Sequence, residues 1–324
     1  MCDKYLCSKE TLKETLELYG VAIIPGVLDP FAIAKFNSGM FDMLECWMKD
    51  FPVPFNRHDT TTWKSYLELL PFHSMLLQCY GVGHAQHIWD VRQNPAVVDI
   101  FARLWGVSKE SLLVSFDGSG VHLPPEFLDG RGWYMKDWLH SDQSFNRSKF
   151  ECVQSWVTGY DVRPGDGTLV VLEKSHLLHG EFKKAFPPAT PTDYANDWYK
   201  FKDSAMTDFY LERGCVRVPI VCTAGSMVFW DSRTIHCGNQ PIKGRAEPNI
   251  RNVAYICMVP RARATPAQLR RKVTHFEHQR SASHWPHFDR LFDKTPRTYG
   301  RPIRLPHALP PPVLTPLGRR LAGY

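Results

Sequence analysis

Short β-type segments follow one another along the middle of the chain, and this pattern constrains the fold most. Turns rich in glycine, aspartate and proline separate these segments. Strands at this spacing, after a helical N-terminal third, predict a mainly β fold with a helical buttress, whose core is a double-stranded β-helix or jelly roll. The predicted strands are Leu112–Asp117, Glu151–Val157, Thr168–Leu172, Ser226–Trp230 and Asn252–Val259.

Helix signals dominate the first third of the chain. Gly20 ends a first predicted helix and leads into a short apolar strand over residues 21–25. Asp29 can cap a second helix, with Pro30 at its first position. The stretch 51–83 has no clean period, so we predict irregular to helical structure there. The predicted helices are Ser8–Tyr19, Phe31–Lys49 and Asn94–Trp105.

A chain of 324 residues can form one large domain. We predict a single domain over residues 1–260, with a helical part at about 8–110 and a cupin-like β-helix core at about 111–260. The long gap between strands from His176 to Val216 predicts an insertion over one mouth of the barrel. The aromatic run Trp198–Phe201 is a candidate lining of that mouth.

The C-terminal extension, residues 261–324, is basic and rich in proline. It holds 13 lysines and arginines against three acids, so it carries +10 while the rest of the chain carries −4. Its prolines predict an extended rather than helical chain. Such a segment can attract nucleic acid, an acidic protein or an anionic substrate. The alternative interpretation is a solvated extension that lies over the body.

Cysteine usage and hydropathy bear on location. No stretch of about 18 apolar residues is present, which predicts that no segment spans a membrane. The N-terminus lacks the basic and apolar regions of a secretory signal. Nine cysteines are scattered without a CxxC motif, which is typical of reduced thiols. We therefore predict an intracellular, cytoplasmic protein.

A His-x-Asp motif at His140 and Asp142 is the strongest chemical signal. Alternate residues of a strand share a face, so both side chains can point the same way. His236 follows 94 residues after Asp142, a separation that suits a jelly roll because its distant strands pair. Two imidazoles and one carboxylate form the facial triad that binds non-heme Fe(II) with open positions. We predict these three residues as iron ligands and catalytic residues.

Arg251 stands directly before the last predicted strand, so its side chain can point into the barrel. A guanidinium fork matches carboxylate geometry, and we predict that Arg251 holds the far carboxylate of a 2-oxo acid. Arg245 is the alternative, but it lies in a glycine- and proline-containing loop rather than at a strand start. The triad and the arginine together predict an oxygen-activating iron enzyme that consumes 2-oxoglutarate.

The segments around these residues resemble the phytanoyl-CoA hydroxylase (phytanoyl-CoA dioxygenase-like) family of Fe(II)/2-oxoglutarate oxygenases. The resemblance covers roughly residues 10–260, includes the opening Leu18–Leu28, and is vague from about 50 to 110. It implies the same iron ligands and the same role for Arg251. It also implies that Trp156 walls the cosubstrate pocket.

The chain departs from that family's pattern in one respect. Arg251 lies 15 residues after His236, slightly further than is common in the family. A short insertion at residues 243–248 accounts for the extra length.

The resemblance also implies a reaction: hydroxylation of a C–H bond with O₂ as cosubstrate and release of succinate and CO₂. Related halogenases lack the acid, so Asp142 favours hydroxylation, or desaturation, over halogenation. We predict a small organic substrate, with Gln143, Ser115 and Trp133 as candidate substrate-binding residues. Asp117 and Ser119, close to Ser115 in the sequence, are further candidates for polar contacts to the substrate. The alternatives are a hydroxylase acting on a protein or nucleic acid docked by the C-terminal extension, and a non-catalytic β-helix binding module.

Four other histidines suggest a second metal site, but their spacing does not favour this interpretation. Two pairs of histidines have a spacing of three residues, His275 with His278 and His284 with His287. No cysteine or acid accompanies either pair at zinc-ligand spacing. We predict surface histidines there. His176 is predicted to support a barrel turn.

Overall fold

Eleven strands build the core of the part of the chain that the structure describes. A computed structural model describes residues 2–69, 76–134, 136–190, 192–300 and 302–324. The strands are β1 (Val21–Ile24), β2 (Leu112–Val114), β3 (Ser119–His122), β4 (His140–Ser141), β5 (Val153–Thr158), β6 (Thr168–Leu172), β7 (Tyr199–Lys200), β8 (Arg217–Pro219), β9 (Met227–Asp231), β10 (His236–Asn239) and β11 (Arg251–Pro260).

The strands form two antiparallel sheets. The larger sheet has the order β1-β9-β5-β11-β2, with β3 also paired to β11, and the smaller sheet has the order β7-β4-β10-β6-β8. Apolar side chains of both sheets meet in one cluster, in which Trp156 and Val228 of the larger sheet join Val171 of the smaller one. Two sheets packed on a shared interior form a jelly roll. The predicted fold class is therefore confirmed.

Helices cover the outer face of the larger sheet. Strand residues alternate between the two faces, so Phe229 points away from the barrel interior and packs on Phe101, with ring centroids 5.7 Å apart. This outer layer confirms the predicted buttress. The helices are α1 (Leu12–Tyr19), α2 (Pro30–Trp47), α3 (Gln86–Arg92), α4 (Pro95–Trp105), α5 (His179–Ala185), α6 (Ser204–Leu211), α7 (Pro266–Glu277) and α8 (Pro316–Ala322).

The N-terminal helix begins later than predicted, at Leu12 rather than Ser8. The Ser8 N–H donates to the Thr11 hydroxyl at 3.1 Å, so these residues form a turn before the helix. Gly20 ends α1 with φ +77°, and a Cβ there would lie 2.5 Å from Nδ1 of His176. His176 donates from Nε2 to the Glu17 carbonyl at 3.0 Å. The predicted supporting role of His176 is confirmed.

The middle stretch contains short 3₁₀ turns at Thr60–Glu68 and Val82–His84, as the absence of a clean period predicted. Residues 70–75 of that stretch lie outside the described residues. Of the predicted strand Leu112–Asp117, Leu112–Val114 forms β2, and a further strand, β3, follows at Ser119–His122. No helix within the described ranges is long and apolar enough to cross a membrane.

The C-terminal extension is more ordered than its prolines predicted. Residues 302–315 are extended, but α7 and α8 are helices, and the prediction was wrong for them. Each helix begins at the proline of a Thr-Pro pair, and the threonine caps it. Thr265 accepts the Gln268 N–H at 3.2 Å, and Thr315 accepts the Gly318 N–H at 3.0 Å. Leu321 of α8 is fully buried. The extension therefore packs on the body.

Candidate iron and 2-oxo acid site

The two predicted histidine ligands are direct neighbours across a strand pair. His236 at the start of β10 pairs in register with His140 of β4, and the ring centroids lie 4.3 Å apart. Both side chains are almost completely buried. The fold therefore unites two residues that are 96 positions apart in the sequence.

Backbone carbonyls fix the orientation of both imidazoles. Nδ1 of His140 lies 3.1 Å from the Trp138 carbonyl oxygen, and Nδ1 of His236 lies 2.9 Å from the Thr234 carbonyl oxygen. A carbonyl oxygen only accepts, so each Nδ1 carries the proton and each Nε2 keeps its lone pair. This is the state that a metal-binding histidine requires. Trp138 also stacks on His140, with ring centroids 4.6 Å apart.

Asp142 faces both free Nε2 atoms. Its two oxygens lie 3.5 Å from Nε2 of His140 and 3.4 Å from Nε2 of His236. Nitrogen and oxygen ligands about 2.1 Å from a divalent metal lie roughly 3 Å from each other when adjacent. One ligand atom from each residue falls within 4.8 Å of the others, and this is the one such cluster found among the described residues. The three side chains fit a single metal ion.

A neighbouring amide orients the Asp142 carboxylate, and the two histidines favour its ionised form. Nε2 of Gln154, on β5, donates to Asp142 at 3.1 Å. Burial opposes ionisation, but the His140 and His236 imidazoles hold the pKa of the Asp142 carboxyl well below its usual range. Burial lowers the pKa of His236, which keeps that ring neutral. The donor set is thus two imidazole nitrogens and one carboxylate oxygen.

Arg251 lies in the barrel interior without an acidic partner. Its side chain is 6% exposed, and Nε and Nη1 have no hydrogen-bond partner among the described residues. Nη2 lies 3.4 Å from the Tyr255 hydroxyl, and the guanidinium carbon lies 5.4 Å from the Trp156 ring centroid. A buried cation with unpaired N–H groups is costly unless a ligand supplies the acceptor. A carboxylate fits this fork.

Arg245, the alternative, is already paired. Its guanidinium contacts Glu126 at 2.8 Å and Asp166 at 2.9 Å, and its side chain is 3% exposed. These two ion pairs therefore fix the loop of Arg245 against Glu126 and Asp166. Trp156 is fully buried on β5, paired with Tyr255, and its ring centroid lies 5.4 Å from the Arg251 guanidinium carbon.

The three candidate substrate-binding residues lie in different settings. Gln143 is buried, and its amide donates to the carbonyls of Arg147 and Lys149 at 2.8 and 2.9 Å, which holds the following loop. The Ser115 hydroxyl accepts the Cys257 N–H at 3.1 Å and completes the β2–β11 ladder. Trp133 lies against Arg245. Their substrate-binding roles stay predictions.

One residue near the site was not predicted as a site residue. His284, expected at the surface, is 9% exposed, and its buried position brings it under the electrostatic influence of Asp142 and both histidine ligands. The reason is that Trp285 and Phe288 pack beside Cys152 and Cys257, which draws this segment onto the barrel. Asp117, a further candidate for a polar substrate contact, lies between β2 and β3.

The insertion lies at the mouth of the barrel, as predicted. Tyr199 and Lys200 form β7 and pair with β4, the strand of His140. The Trp198 ring is half exposed, and its centroid lies 6.2 Å from that of His140. The insertion therefore places an aromatic side chain at the entrance to the metal cluster.

A comparison with known proteins identifies a relative of this chain. No protein-family model matches the chain. Ava biosynthesis cluster protein O from Aspergillus versicolor is 30% identical over 250 residues, which cover 74% of this chain and 76% of that protein. The chain belongs to the family of this fungal protein.

The solved structure of one bacterial protein shares the fold over nearly the whole chain. The hypothetical protein JW0805 from Escherichia coli aligns with a TM-score of 0.57 and 15% identity, covering 99% of this chain and 85% of that one. The epimerase SnoN, solved with Fe³⁺, α-ketoglutarate and nogalamycin RO, aligns with a TM-score of 0.45 and 18% identity over 78% of this chain and 83% of that one.

The structure contains the fold and the residues on which the resemblance to the phytanoyl-CoA dioxygenase-like oxygenases rests. The jelly roll is present, and its interior holds a His-Asp-His cluster that fits iron. The predicted cofactors, Fe(II) and 2-oxoglutarate, fit the residues present, because Arg251 offers an unpaired guanidinium beside that cluster.

Proposed function

We propose that the protein is an Fe(II)/2-oxoglutarate-dependent dioxygenase that hydroxylates a C–H bond of a small organic molecule inside the cell, with release of succinate and CO₂. The observation that supports this most directly is the pairing of the His140–Asp142–His236 cluster with the unpartnered Arg251 guanidinium in one barrel interior.

Each ligand residue has a defined task in this proposal. Iron and 2-oxoglutarate, when bound, supply oxygen activation. His140 and His236 offer neutral Nε2 atoms because their Nδ1 protons are held by backbone carbonyls. Asp142 contributes the negative charge, and the Gln154 amide keeps its carboxylate turned toward the histidines. Three protein ligands leave open positions for a chelating cosubstrate.

Arg251 sets the depth and direction of the cosubstrate. Its fork can take the distal carboxylate bidentately, while the Tyr255 hydroxyl, 3.4 Å from Nη2, provides a further polar contact. The Trp156 ring forms an apolar wall next to the guanidinium. Together these residues exclude water from that side and leave the mouth near Trp198 for the substrate.

A small-molecule substrate suits the molecule better than a polymer. The related Aspergillus versicolor protein is named for a biosynthesis cluster. Part of the basic charge of the C-terminal extension serves internal contacts: Arg261 donates to the carbonyls of Arg320 and Gly323, and Arg263 donates to that of Glu151. The docking of a protein or nucleic acid by the extension therefore stays the second alternative.

An anaerobic titration tests the proposal. Fe(II) and 2-oxoglutarate are added to the purified protein, and the visible metal-to-ligand charge-transfer absorption is recorded. We expect a band in the unaltered protein, no band in His140→Ala, and a weakened band in Arg251→Ala. Arg163→Ala, at a half-exposed surface pair with Glu247, serves as the matched arginine control. A folded, iron-loaded protein without the band would support the non-catalytic binding module instead.

A further inference from the structure

Asp117 lies at a break in the larger sheet, beside the cosubstrate region. The Ser115 N–H donates to the Cys257 carbonyl at 2.8 Å, and Ser119 pairs with Ala254. The chain between these two contacts therefore passes opposite the middle of β11. Arg92 fixes it there, because its guanidinium donates to the Asp117 carbonyl at 2.7 Å and to the Tyr255 carbonyl at 3.4 Å.

The same level of the barrel holds the metal cluster. Tyr255 pairs with Trp156 and Cys257 with Gln154 on the neighbouring strand, and Gln154 donates to Asp142. Burial raises the pKa of the Asp117 carboxyl to about 6, and the charge of Asp142 adds to this shift. The Asp117 carboxyl therefore lies within electrostatic reach of the proposed iron ligands.

The Asp117 carboxyl has little to bind within the protein. Over the described ranges, its one hydrogen bond comes from the adjacent Gly118 N–H at 2.7 Å, and it forms no ion pair within 4 Å. Arg92 directs its guanidinium at carbonyl oxygens instead. A mostly buried carboxyl with a single hydrogen-bond donor is costly, and a ligand that donates a further hydrogen bond would reduce that cost.

His284 approaches the same region from the C-terminal extension. The Ala282 N–H donates to the Phe116 carbonyl at 2.9 Å, which anchors the segment next to Asp117. His284 is 9% exposed, and its Nε2 has no hydrogen-bond partner among the described residues. Burial lowers the pKa of His284, so the ring is neutral, and both Asp142 and His236 act on it electrostatically.

We propose that Asp117 and His284 bind the substrate, and that the substrate is a small alcohol or amine whose O–H or N–H donates to the Asp117 carboxylate. His284 Nε2 forms a second hydrogen bond to the same polar end of the substrate. This inference rests on the proposed dioxygenase function and names its substrate class. Both residues are positioning residues: they hold the polar end so that a neighbouring C–H bond faces the metal cluster.

A paired library tests the substrate class. Small alcohols and secondary amines are compared with their O-methyl and N-acetyl counterparts, which lack the O–H or N–H donor, for acceleration of 2-oxoglutarate consumption by the iron-loaded protein. We expect acceleration by free alcohols or amines and none by the masked counterparts. Equal acceleration by masked compounds, or a library without an active member, would overturn the assigned class.

Asp117→Asn and His284→Ala test the residues. The affinity for an active compound is measured anaerobically by calorimetry, with iron and 2-oxoglutarate bound, so that no turnover is needed. We expect Asp117→Asn to weaken binding about tenfold or more, because a hydrogen bond to a charged group is lost, and His284→Ala to weaken it severalfold. Unchanged affinity in both variants would overturn the proposal.

Two controls separate this inference from the proposed function. The charge-transfer band, which depends on iron and 2-oxoglutarate alone, should persist in both variants. Loss of the band in Asp117→Asn alone would assign that residue to the cofactors and overturn the proposal. Absence of the band in the unaltered protein would instead refute the dioxygenase function. Asp208→Asn and His278→Gln, at exposed positions, are the matched substitutions.

Discussion

Single hydrogen bonds decide the chemistry of the individual site residues. The backbone carbonyls of Trp138 and Thr234 set the protonation of two imidazoles, and one side-chain amide sets the orientation of the carboxylate. None of these partners is a ligand. Their effects should therefore be measurable without removing any ligand from the cluster.

Gln154→Leu should weaken iron binding. The substitution preserves the approximate volume but removes the donor to Asp142, and loss of such an outer contact typically lowers metal affinity about 10- to 100-fold. Competition with a coloured Fe(II) chelator under anaerobic conditions measures the change. Gln268→Leu, in the capping box of α7, is the control and should leave iron affinity as it was.

Arg251→Lys should lower the affinity for 2-oxoglutarate about tenfold or more and leave iron affinity unchanged. Lysine keeps the charge but has no planar fork for a bidentate carboxylate contact. The charge-transfer titration gives both affinities, and Arg163→Lys controls for the substitution itself. Equal 2-oxoglutarate affinity in Arg251→Lys would show that the cosubstrate carboxylate binds elsewhere.

The metal cluster and Arg251 could be predicted because their signals are local in the sequence. These signals are a His-x-Asp motif and an arginine directly before a predicted strand. His284 had no such signal. Asp117 acquires its position from a break in the sheet, and His284 from the packing of Trp285 and Phe288 on a distant strand pair. Contacts of that kind depend on tertiary packing, which residue spacing does not record.

The strands and the N-terminal helices could be predicted because their signals are also local in the sequence. The apolar runs of β5, β6, β9 and β11 match the predicted strands closely, since buried strands are rich in β-branched and aromatic residues. The C-terminal extension was harder, because its overall proline content hid two Thr-Pro helix starts. Composition averages over a segment, whereas a helix start is a local signal.

Leu321→Ala in α8 should destabilise the whole protein by about 2–5 kcal/mol, because a fully buried leucine leaves a cavity when truncated. Leu305→Ala, in the extended part of the same C-terminal extension and 63% exposed, should change the free energy of unfolding by less than about 0.5 kcal/mol. Urea denaturation measures both. Equal small effects would mean that α8 is not part of the cooperative fold.

Buried neutral histidines shape the pH dependence of the whole molecule. Burial lowers the pKa of His84, His87 and His122 to about 3. Below about pH 6.5 the unfolded chain binds protons that the folded chain does not. The free energy of unfolding should therefore fall with decreasing pH from about 6.5 to 3, by about 1.4 kcal/mol per pH unit for each histidine.

His87→Gln should remove one of these contributions. Between pH 6 and pH 5 the loss of stability should be about 1 kcal/mol smaller in the variant than in the unaltered protein. Urea denaturation at the two pH values gives the difference, which is independent of any packing cost common to both. His58→Gln, at an exposed position, should keep the original slope. An unchanged slope in His87→Gln would show that His87 is protonated in the folded chain.

The register of His140 opposite His236 has a thermodynamic consequence. The sheet orders both side chains during folding, so an arriving metal ion meets ligands whose conformational entropy is already lost. Little of its binding free energy is then consumed by ordering the chain, and most of it adds to the stability of the folded state by mass action. Such a protein should survive repeated chelation and reloading, with its melting temperature rising and falling as the metal ion is restored and withdrawn.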